Sequence, residues 1–280
     1  MRKTRIAIIG HGFVGKAVEY GFSTNHIDIT LIDPIISDKK LNDYDNSFDF
    51  IFVCVPTPMK EDGALDITII KEVLIDIEKG LSNYVIPPVV IIKSTVTPNF
   101  IQEAGCTISN LVYNPEFLSE ANSKHDFVNP DMLVIGSNSI LAINAVEQLY
   151  KEHSLCYPAP VVKCSLKEAS FIKYGINTFL ALKVTYFNQL KELTDLESTS
   201  FTKIVNAIAS DPRVGSSHTR VPGFDGNAGY GGPCFPKDVN AFVHQYDISI
   251  LKEAQRINNN YRKDLKVADR EKQQNIKFSQ

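Results

Sequence analysis

The sequence predicts an α/β fold, in which an N-terminal, doubly wound parallel sheet is followed by an all-helical region with one long helix. Two observations carry this prediction. Short apolar runs of strand length alternate with helical patterns up to residue 151, as is typical of a parallel sheet. Beyond Pro160 the strand pattern stops, and residues 165–194 show one continuous helical period of apolar positions.

Composition narrows the class of protein. The 280 residues suggest about two domains, and 44% hydrophobic and 22% charged residues are ordinary globular values. A net charge of −3 argues against a nucleic-acid partner, and the chain has no apolar run long enough for a membrane span. The five cysteines form no Cys-x-x-Cys pair, which favours a reducing cytoplasmic location and predicts neither disulfides nor a bound metal.

The first 33 residues have the order of elements that binds a dinucleotide: a strand pattern, Gly-x-Gly-x-x-Gly, a helical pattern, a second strand pattern and an acid. Gly10 makes the tight turn, Gly12 lets a pyrophosphate approach, and Gly15 lets the helix pack closely on the strand. Asp33 would accept hydrogen bonds from ribose hydroxyls and repel a 2′-phosphate, which favours NAD over NADP. The alternative is a glycine-rich turn in another α/β protein. The cofactor-binding residues predicted here are Gly10, Gly12, Phe13, Val14, Gly15 and Asp33.

The alternation continues through the rest of a Rossmann-like domain assigned to residues 1–160. Ligands of parallel sheets bind at the carboxyl ends of the strands, so the loops after the later strands are candidate site loops. Thr57, Ser94 and Thr95 would supply hydroxyls there, although capping or turn formation also explains each one. Strands are predicted at 48–55, 89–92, 111–113 and 132–135, helices at 66–79 and 139–151, and site loops at 56–58, 93–98 and 114–120.

A helical domain is predicted over residues 161–264. The long helix, residues 165–194, would separate domains or pair subunits. Lys173 and Asn177 lie four apart in an otherwise apolar stretch of it, so they share a face that either holds a substrate oxygen or forms a solvated stripe. Further helices are predicted at 200–210, 238–246 and 250–264, followed by a polar tail at 265–280 that we expect to fray.

One cysteine lies in an unusual setting. Three glycines and a proline precede Cys234, and Lys237 and Asp238 follow within four residues. Glycine lets a ligand approach the backbone, and a neighbouring cation favours the nucleophilic thiolate. The pattern indicates an active-site loop with a covalent nucleophile, and the alternative is a buried structural cysteine beside a turn.

Six motifs together resemble the UDP-glucose/GDP-mannose dehydrogenase family: GHGFVG, VCVPTP, KSTV, NPEFLSE, FIKYGINTFLALKVTYFNQL and GYGGPCFPKD. The resemblance extends from Arg5 to about Arg262. It implies NAD-dependent oxidation of the C6 primary alcohol of a nucleotide sugar to a carboxylate, most similar to the conversion of UDP-glucose to UDP-glucuronate. Cys234 would capture the intermediate aldehyde as a thiohemiacetal and then carry a thioester.

The same resemblance implies catalytic roles for six residues. Cys234 would be the nucleophile, while Lys173 and Asn177 would hold oxygen atoms at the reacting carbon. The remaining three would place or activate water or assist proton transfer: Asp238, Thr95 and Glu116.

Binding roles are implied in the same way. The backbone of residues 229–233 would bind the sugar and its phosphates, and Arg213 would reach the substrate of a partner subunit in a homodimer built on residues 165–194. Glu120 would lie near the nicotinamide, with Thr57 and Thr95 completing the cofactor site. The implied substrate-binding residues are Glu116, Phe117, Leu118, Lys173, Asn177, Arg213, Gly229, Tyr230, Gly231, Gly232 and Lys237.

The sequence departs from the family pattern in one respect. Members usually continue into a third α/β domain that grips the nucleotide, and no such pattern follows residue 264, so we expect a short form. Two other functions stay open. One is a two-electron 3-hydroxyacid-type NAD dehydrogenase that leaves Cys234 unused, and the other is an NAD-binding or assembly module that has lost catalysis.

Overall fold

The computed structural model describes residues 2–43 and 47–278, which form two compact units. Unit 1 comprises Met1–Thr57 and Asp66–Lys173, and unit 2 comprises Pro58–Leu65 and Tyr174–Gln280. Residues 58–65 therefore belong with the C-terminal half of the chain. The predicted domain boundary at residue 160 places them in the N-terminal domain instead.

Unit 1 is a seven-stranded sheet with helices on both faces. Alternate side chains of each strand enter two different cores: Ala7 and Ile9 lie in one buried cluster, Ile6 and Ile8 in the other. Both faces of the strands are thus buried, which explains their continuous apolar sequences. The strands are β1 (Thr4–Ile9), β2 (Ile27–Ile32), β3 (Phe50–Val53), β4 (Val89–Ile92), β5 (Leu111–Tyr113), β6 (Leu133–Ser137) and β7 (Val161–Cys164). The helices are α1 (Phe13–Gly21), α2 (Thr68–Leu81), α3 (Pro98–Thr107), α4 (Ser123–Val128) and α5 (Ile140–His153).

The strand order is β2-β1-β3-β4-β5-β6-β7, which confirms the predicted α/β class. The predicted parallel arrangement holds for all neighbouring strands except one pair near an edge. Strands β1 to β5 are parallel, but β6 pairs with β5 in the antiparallel direction, Val112 opposite Ser137, and β7 runs parallel to β6. Antiparallel neighbours need no long helical crossover, and the segment between β5 and β6 contains only the six-residue α4.

Some elements of unit 1 differ from the sequence prediction. Residues 161–164, which the sequence assigns to the helical domain, form β7. This edge strand is only partly buried and contains Lys163, so it lacks the continuous apolar run of the central strands. Helix α3 begins at Pro98, where the prediction had only a loop. Proline is favoured in the first turn of a helix, so its position there is a start signal that the prediction did not use.

Unit 2 is helical. Helix α6 (Leu166–Leu196) has 31 residues, as its long apolar period predicts; its residues up to Lys173 belong to unit 1 and those from Tyr174 to unit 2. The further helices of unit 2 are α7 (Phe201–Ala209), α8 (Phe235–Gln245), α9 (Ser249–Arg262) and α10 (Asp269–Gln273). The expectation of a fraying tail is wrong for the residues described. These residues include α10, and both Glu271 and Ile276 are buried. Among the helices of residues 2–43 and 47–278, none has the length and apolar character needed to cross a bilayer.

Candidate active site

The glycine motif lies where the strand order changes direction. The chain passes from β1 to the edge strand β2 and then crosses to β3 on the other side of β1. The carboxyl ends of strands at such a switch point form the crevice in which α/β sheets bind ligands. Gly10 directly follows β1, and Cys54 directly follows β3, with the Cys54 amide donating to the Ile9 carbonyl at 2.7 Å.

Two of the three motif glycines are required by the packing of the protein itself. Gly10 has a φ of +88°, and a Cβ there would lie 2.8 Å from the carbonyl oxygen of Cys54. A Cβ on Gly15 would overlap the carbonyl oxygen of Gly10. A Cβ on Gly12, by contrast, would have no atom of the described residues within 4 Å apart from those of its two chain neighbours. The space beside Gly12 is therefore open to a ligand.

This crevice fits a dinucleotide. Gly12 is the N-cap of α1 and makes no side-chain cap hydrogen bond, and the N-terminus of a helix, here at Phe13 and Val14, is where a phosphate accepts from backbone amides. Asp33 lies beside the same turn: its Oδ2 accepts from the His11 amide at 2.7 Å and its Oδ1 from the Ile35 amide at 2.9 Å. Two bonds leave a carboxylate with further acceptor capacity for ribose hydroxyls.

Two of the predicted hydroxyl residues, Thr57 and Ser94, form hydrogen bonds between the loop after β3 and the loop after β4. Thr57 Oγ1 donates to the Thr95 carbonyl at 2.9 Å, and Ser94 Oγ donates to the Val55 carbonyl at 2.6 Å. These bonds link the loop after β3 to the loop after β4, so Thr57 and Ser94 shape the crevice. Glu120, predicted near the nicotinamide, is exposed at the surface.

A buried ion pair brings two predicted catalytic residues together in unit 1. Lys173 Nζ donates to the Glu116 carbonyl at 2.6 Å and lies 3.3 Å from Glu116 Oε1. Glu116 Oε2 accepts from the Leu118 amide at 2.6 Å, and the Lys173 ammonium also lies 5.2 Å from the ring centroid of Phe117. Both charged groups are buried, so each one compensates the desolvation of the other.

Asn114, two residues before Glu116, is the centre of a second buried network, which the sequence patterns do not predict. Lys93 Nζ donates to Asn114 Oδ1 at 2.9 Å, Tyr150 OH donates to the same oxygen at 2.7 Å, and Asn114 Nδ2 donates to the Val134 carbonyl. Burial lowers the pKa of Lys93 to about 8 and raises the pKa of Cys54 to about 12, although the Lys93 charge opposes the latter shift. Cys54 is therefore an inert core thiol. Lys93 belongs to the KSTV motif and Asn114 to the NPEFLSE motif, and this membership is the sequence signal that could have identified them as site residues.

In unit 2, Cys234 is the N-cap residue of α8, and its carbonyl accepts from the Asp238 amide at 2.9 Å. The partial positive charge of a helix N-terminus stabilises an anion such as a thiolate. Asp238 is 1% exposed: its Oδ2 accepts from Asn177 Nδ2 and its Oδ1 from Lys237 Nζ, both at 2.6 Å. Asn177, Lys237 and Asp238 thus form one buried polar cluster, which excludes the solvated-stripe alternative for Asn177.

The glycine loop, residues 229–232, is engaged by side chains of its own unit. The Gly229 amide donates to Asn188 Oδ1 at 3.0 Å, the Tyr230 amide to Asn258 Oδ1 at 2.6 Å, and the Gly232 amide to Glu271 Oε1 at 2.8 Å. These amides, which the family resemblance assigns to substrate, therefore already have acceptors in this structure. The residues that bind them, Asn188, Asn258 and Glu271, are not predicted as site residues from the sequence.

Two further predicted substrate residues lie in contrasting environments. Tyr230 is a core residue, packed near Ala181 and Val239, and burial raises the pKa of its phenol. Arg213 has a side chain that is 88% exposed and is bound to Asp211, with Nη2 2.6 Å from Asp211 Oδ2. The tyrosine side chain is thus structural, while the arginine is accessible from outside the unit.

Comparison with known proteins matches both halves of the chain to one family. Residues 37–154 match the NAD binding domain of the UDP-glucose/GDP-mannose dehydrogenase family, and residues 167–260 match the central domain of that family. Two curated relatives come from Bacillus subtilis (strain 168). UDP-glucose 6-dehydrogenase TuaD is 32% identical over 228 residues, which is 76% of this chain and 47% of TuaD. UDP-glucose 6-dehydrogenase YwqF is 28% identical over 306 residues, which is 91% of this chain and 66% of YwqF.

Among solved structures, a UDP-glucose dehydrogenase from the archaeon Pyrobaculum islandicum matches with a TM-score of 0.80 at 24% identity. The match covers 92% of this chain and 68% of that one, and it shows a common fold. The chain spans about half to two thirds of the length of the two curated relatives.

We predict that alanine at Gly15 mainly lowers stability, whereas alanine at Gly12 mainly weakens NAD binding. Gly15→Ala lowers the unfolding free energy by about 1–3 kcal/mol, because its methyl group overlaps the Gly10 carbonyl. Gly12→Ala costs less than about 1 kcal/mol, since its methyl group enters open space, but it weakens NAD binding about tenfold. Urea unfolding and calorimetric titration with NAD measure the two effects. Unchanged NAD affinity in Gly12→Ala would contradict the placement of the cofactor.

We also predict a pH-dependent effect of Lys93→Met. Between the ordinary lysine pKa of 10.5 and the folded value of about 8, the unfolded chain binds a proton that the folded protein has released. Lys93 therefore adds stability to the wild type as pH rises through this range, and the methionine variant lacks this gain. The unfolding free energy of Lys93→Met relative to wild type falls from pH 8 to pH 10. Lys71→Met, at an exposed position of α2, is the control. If the difference in unfolding free energy between Lys93→Met and wild type does not change with pH, the lowered pKa of Lys93 is refuted.

Proposed function

Because this chain belongs to the UDP-glucose/GDP-mannose dehydrogenase family, we propose that it oxidises the C6 primary alcohol of a nucleotide sugar to the carboxylate, with UDP-glucose as the first candidate. The match of residues 37–154 to the NAD binding domain of that family confirms the predicted cofactor, NAD. The observation that carries the proposal is Cys234 at the N-terminus of α8, next to a buried cluster of Asn177, Lys237 and Asp238. A two-electron oxidation needs no such thiol.

Conversion of an alcohol to a carboxylate removes two hydrides. NAD supplies the hydride acceptor for both oxidations. In the proposal, the Cys234 thiolate adds to the carbon of the intermediate aldehyde, and the new S–C bond gives a thiohemiacetal that retains the aldehyde in the site. Oxidation of this adduct leaves a thioester, and attack by water breaks the S–C bond, releasing the carboxylate and the thiolate.

The buried polar groups of each unit suit parts of this chemistry. Lys173 is a fixed ammonium held by Glu116 in unit 1, and a preorganised cation of this kind stabilises a developing oxyanion. Asn177 presents an amide in unit 2 whose orientation is set by Asp238. Each oxygen of Asp238 accepts one bond from a side chain and retains a lone pair, so Asp238 can accept a hydrogen bond from the attacking water.

Glu116 is proposed to move a proton or to place water. Its carboxylate accepts from the Leu118 amide and pairs with Lys173, so it is held in one orientation within the NPEFLSE segment. Phe117 and Leu118 follow it directly and are proposed to contact the sugar. Thr95 is half-buried in the loop after β4, where its carbonyl already receives the Thr57 hydroxyl.

We further propose that two copies of the chain associate through α6. Three apolar side chains, Phe179, Tyr186 and Leu193, recur at intervals of seven and are 59–63% exposed, and Leu196 is 77% exposed. Residues seven apart lie on one face of a helix, so these side chains form an apolar stripe along unit 2. Such a stripe on a long helix suits the matching helix of a second copy, and the exposed Arg213 would then be available to the partner's substrate.

The reaction is tested by its stoichiometry. We expect two NADH for each nucleotide sugar consumed, measured by absorbance against product analysis on a panel that includes UDP-glucose and GDP-mannose. Cys234→Ser loses most of the turnover, on the order of 10³-fold or more, while its NAD affinity stays unchanged. Cys106→Ser, at an exposed cysteine, is the matched control and keeps full activity.

Other results would identify the alternatives. One NADH per substrate with a released aldehyde or ketone would indicate a two-electron dehydrogenase. NAD binding without reduction by any sugar tested would indicate a cofactor-binding or assembly module. Full activity of Cys234→Ser would remove the thiol from the mechanism.

The dimer is tested by charged substitutions in the stripe. Phe179→Asp combined with Leu193→Asp places two like charges on each copy of the interface, so we expect light scattering after size exclusion to report a monomer for this variant and a dimer for the wild type. Ile250→Asp, at an exposed apolar position of α9, is the control and stays dimeric. A wild type that is monomeric at micromolar concentration would refute the proposal.

A further inference from the structure

The segment of residues 266–278 contacts the loop that carries Cys234. Glu271, in α10, is 4% exposed, and both of its carboxylate oxygens accept from backbone amides. Oε1 accepts from Gly232 at 2.8 Å and Oε2 from Ala268 at 2.7 Å. One side chain therefore ties the C-terminal segment to a residue two positions before the proposed nucleophile.

A buried arginine completes this contact. Arg262, near the end of α9, is 4% exposed. Its Nη2 donates to the Gly229 carbonyl at 3.2 Å and to Asp225 Oδ2 at 2.7 Å, and its Nη1 lies 3.9 Å from Glu271 Oε1. A buried carboxylate is costly unless a cation and hydrogen bonds compensate it, and Glu271 has both.

The pair also fits closely against the loop. A Cβ on Gly231 would overlap Arg262 Nη1 and lie 2.9 Å from Glu271 Oε1. A larger residue at this position would therefore force the two charged side chains to shift, so the positions of Arg262 and Glu271 and the backbone of the loop are coupled.

The segment is ordered by contacts beyond this pair. The Met59 amide donates to the Gln274 carbonyl at 2.9 Å, Ile276 is 3% exposed, and the Arg262 guanidinium lies 5.8 Å from the ring centroid of Phe278. These contacts all lie within unit 2 and anchor the residues that follow α10.

We propose that Glu271, acting with Arg262, is a positioning residue for Cys234: it fixes the Gly229–Gly232 backbone and thereby the direction from which the thiol meets its electrophile. Because Glu271 occupies the Gly232 amide, the substrate binds this loop through other groups. The consequence for turnover rests on the proposed function, whereas the consequence for the loop does not.

The loop is tested first, by amide hydrogen exchange of the full chain with NAD bound. Glu271→Ala leaves the Gly232 amide without its acceptor, so we expect exchange in residues 229–234 to become about tenfold faster or more. Glu271→Gln keeps an oxygen acceptor of the same length and has a smaller effect. Asp269→Asn, which removes a charge from the same helix at an exposed position bonded to Lys272, leaves the exchange unchanged.

Kinetics then separate positioning from general stability. We expect kcat to fall about tenfold in Glu271→Ala and less in Glu271→Gln, with the dissociation constant of NAD unchanged in both. Unchanged amide exchange in both Glu271 variants would overturn the proposal. A higher kcat or a lower KM in Glu271→Ala would also overturn it, because either result means that residues 266–278 obstruct the loop. If the wild type oxidises no nucleotide sugar, the proposed function fails while the exchange experiment still tests the role of Glu271.

Discussion

Cys234 ends an irregular loop, and the backbone polar groups of a loop inside a folded unit need partners that a regular helix or sheet would otherwise supply. In unit 2 this constraint is met by Asn188 of α6, Asn258 of α9 and Glu271 of α10, each accepting from one loop amide. Three helices are thus joined through the loop, and the position of the thiol depends on all of them. The remote polar side chains of unit 2 are therefore part of the site.

Two buried ion pairs, one in each unit, hold charged groups of the proposed site. Lys173 pairs with Glu116 in unit 1, and Lys237 pairs with Asp238 in unit 2. Such pairs add little to stability, but breaking one leaves a costly buried charge, so the geometry of each is held firmly. Chemistry that stabilises oxyanions and directs water needs groups with this fixed orientation.

Much of the fold and part of the site can be predicted from local patterns. The glycine motif, Asp33 and the long helix follow from spacing alone, because each is a property of adjacent residues. Three features are not visible in local patterns: the five-residue α10, the partly exposed edge strand β7 and the reversed direction of β6. The place of Lys93 in a buried network is not visible either, because burial depends on residues distant in sequence.

By itself, the sequence determined the dinucleotide motif, the helical period of α6 and the chemical identity of the thiol and its charged neighbours, since these depend on residue type and spacing. Only the tertiary structure decided which groups meet. In the folded chain Lys173 pairs with Glu116, and Asn177 donates a hydrogen bond to Asp238. The Gly232 amide donates to Glu271, 39 residues later in the chain. The physical reason is that hydrogen bonds and ion pairs form between groups that packing brings together, and packing is decided by the whole unit.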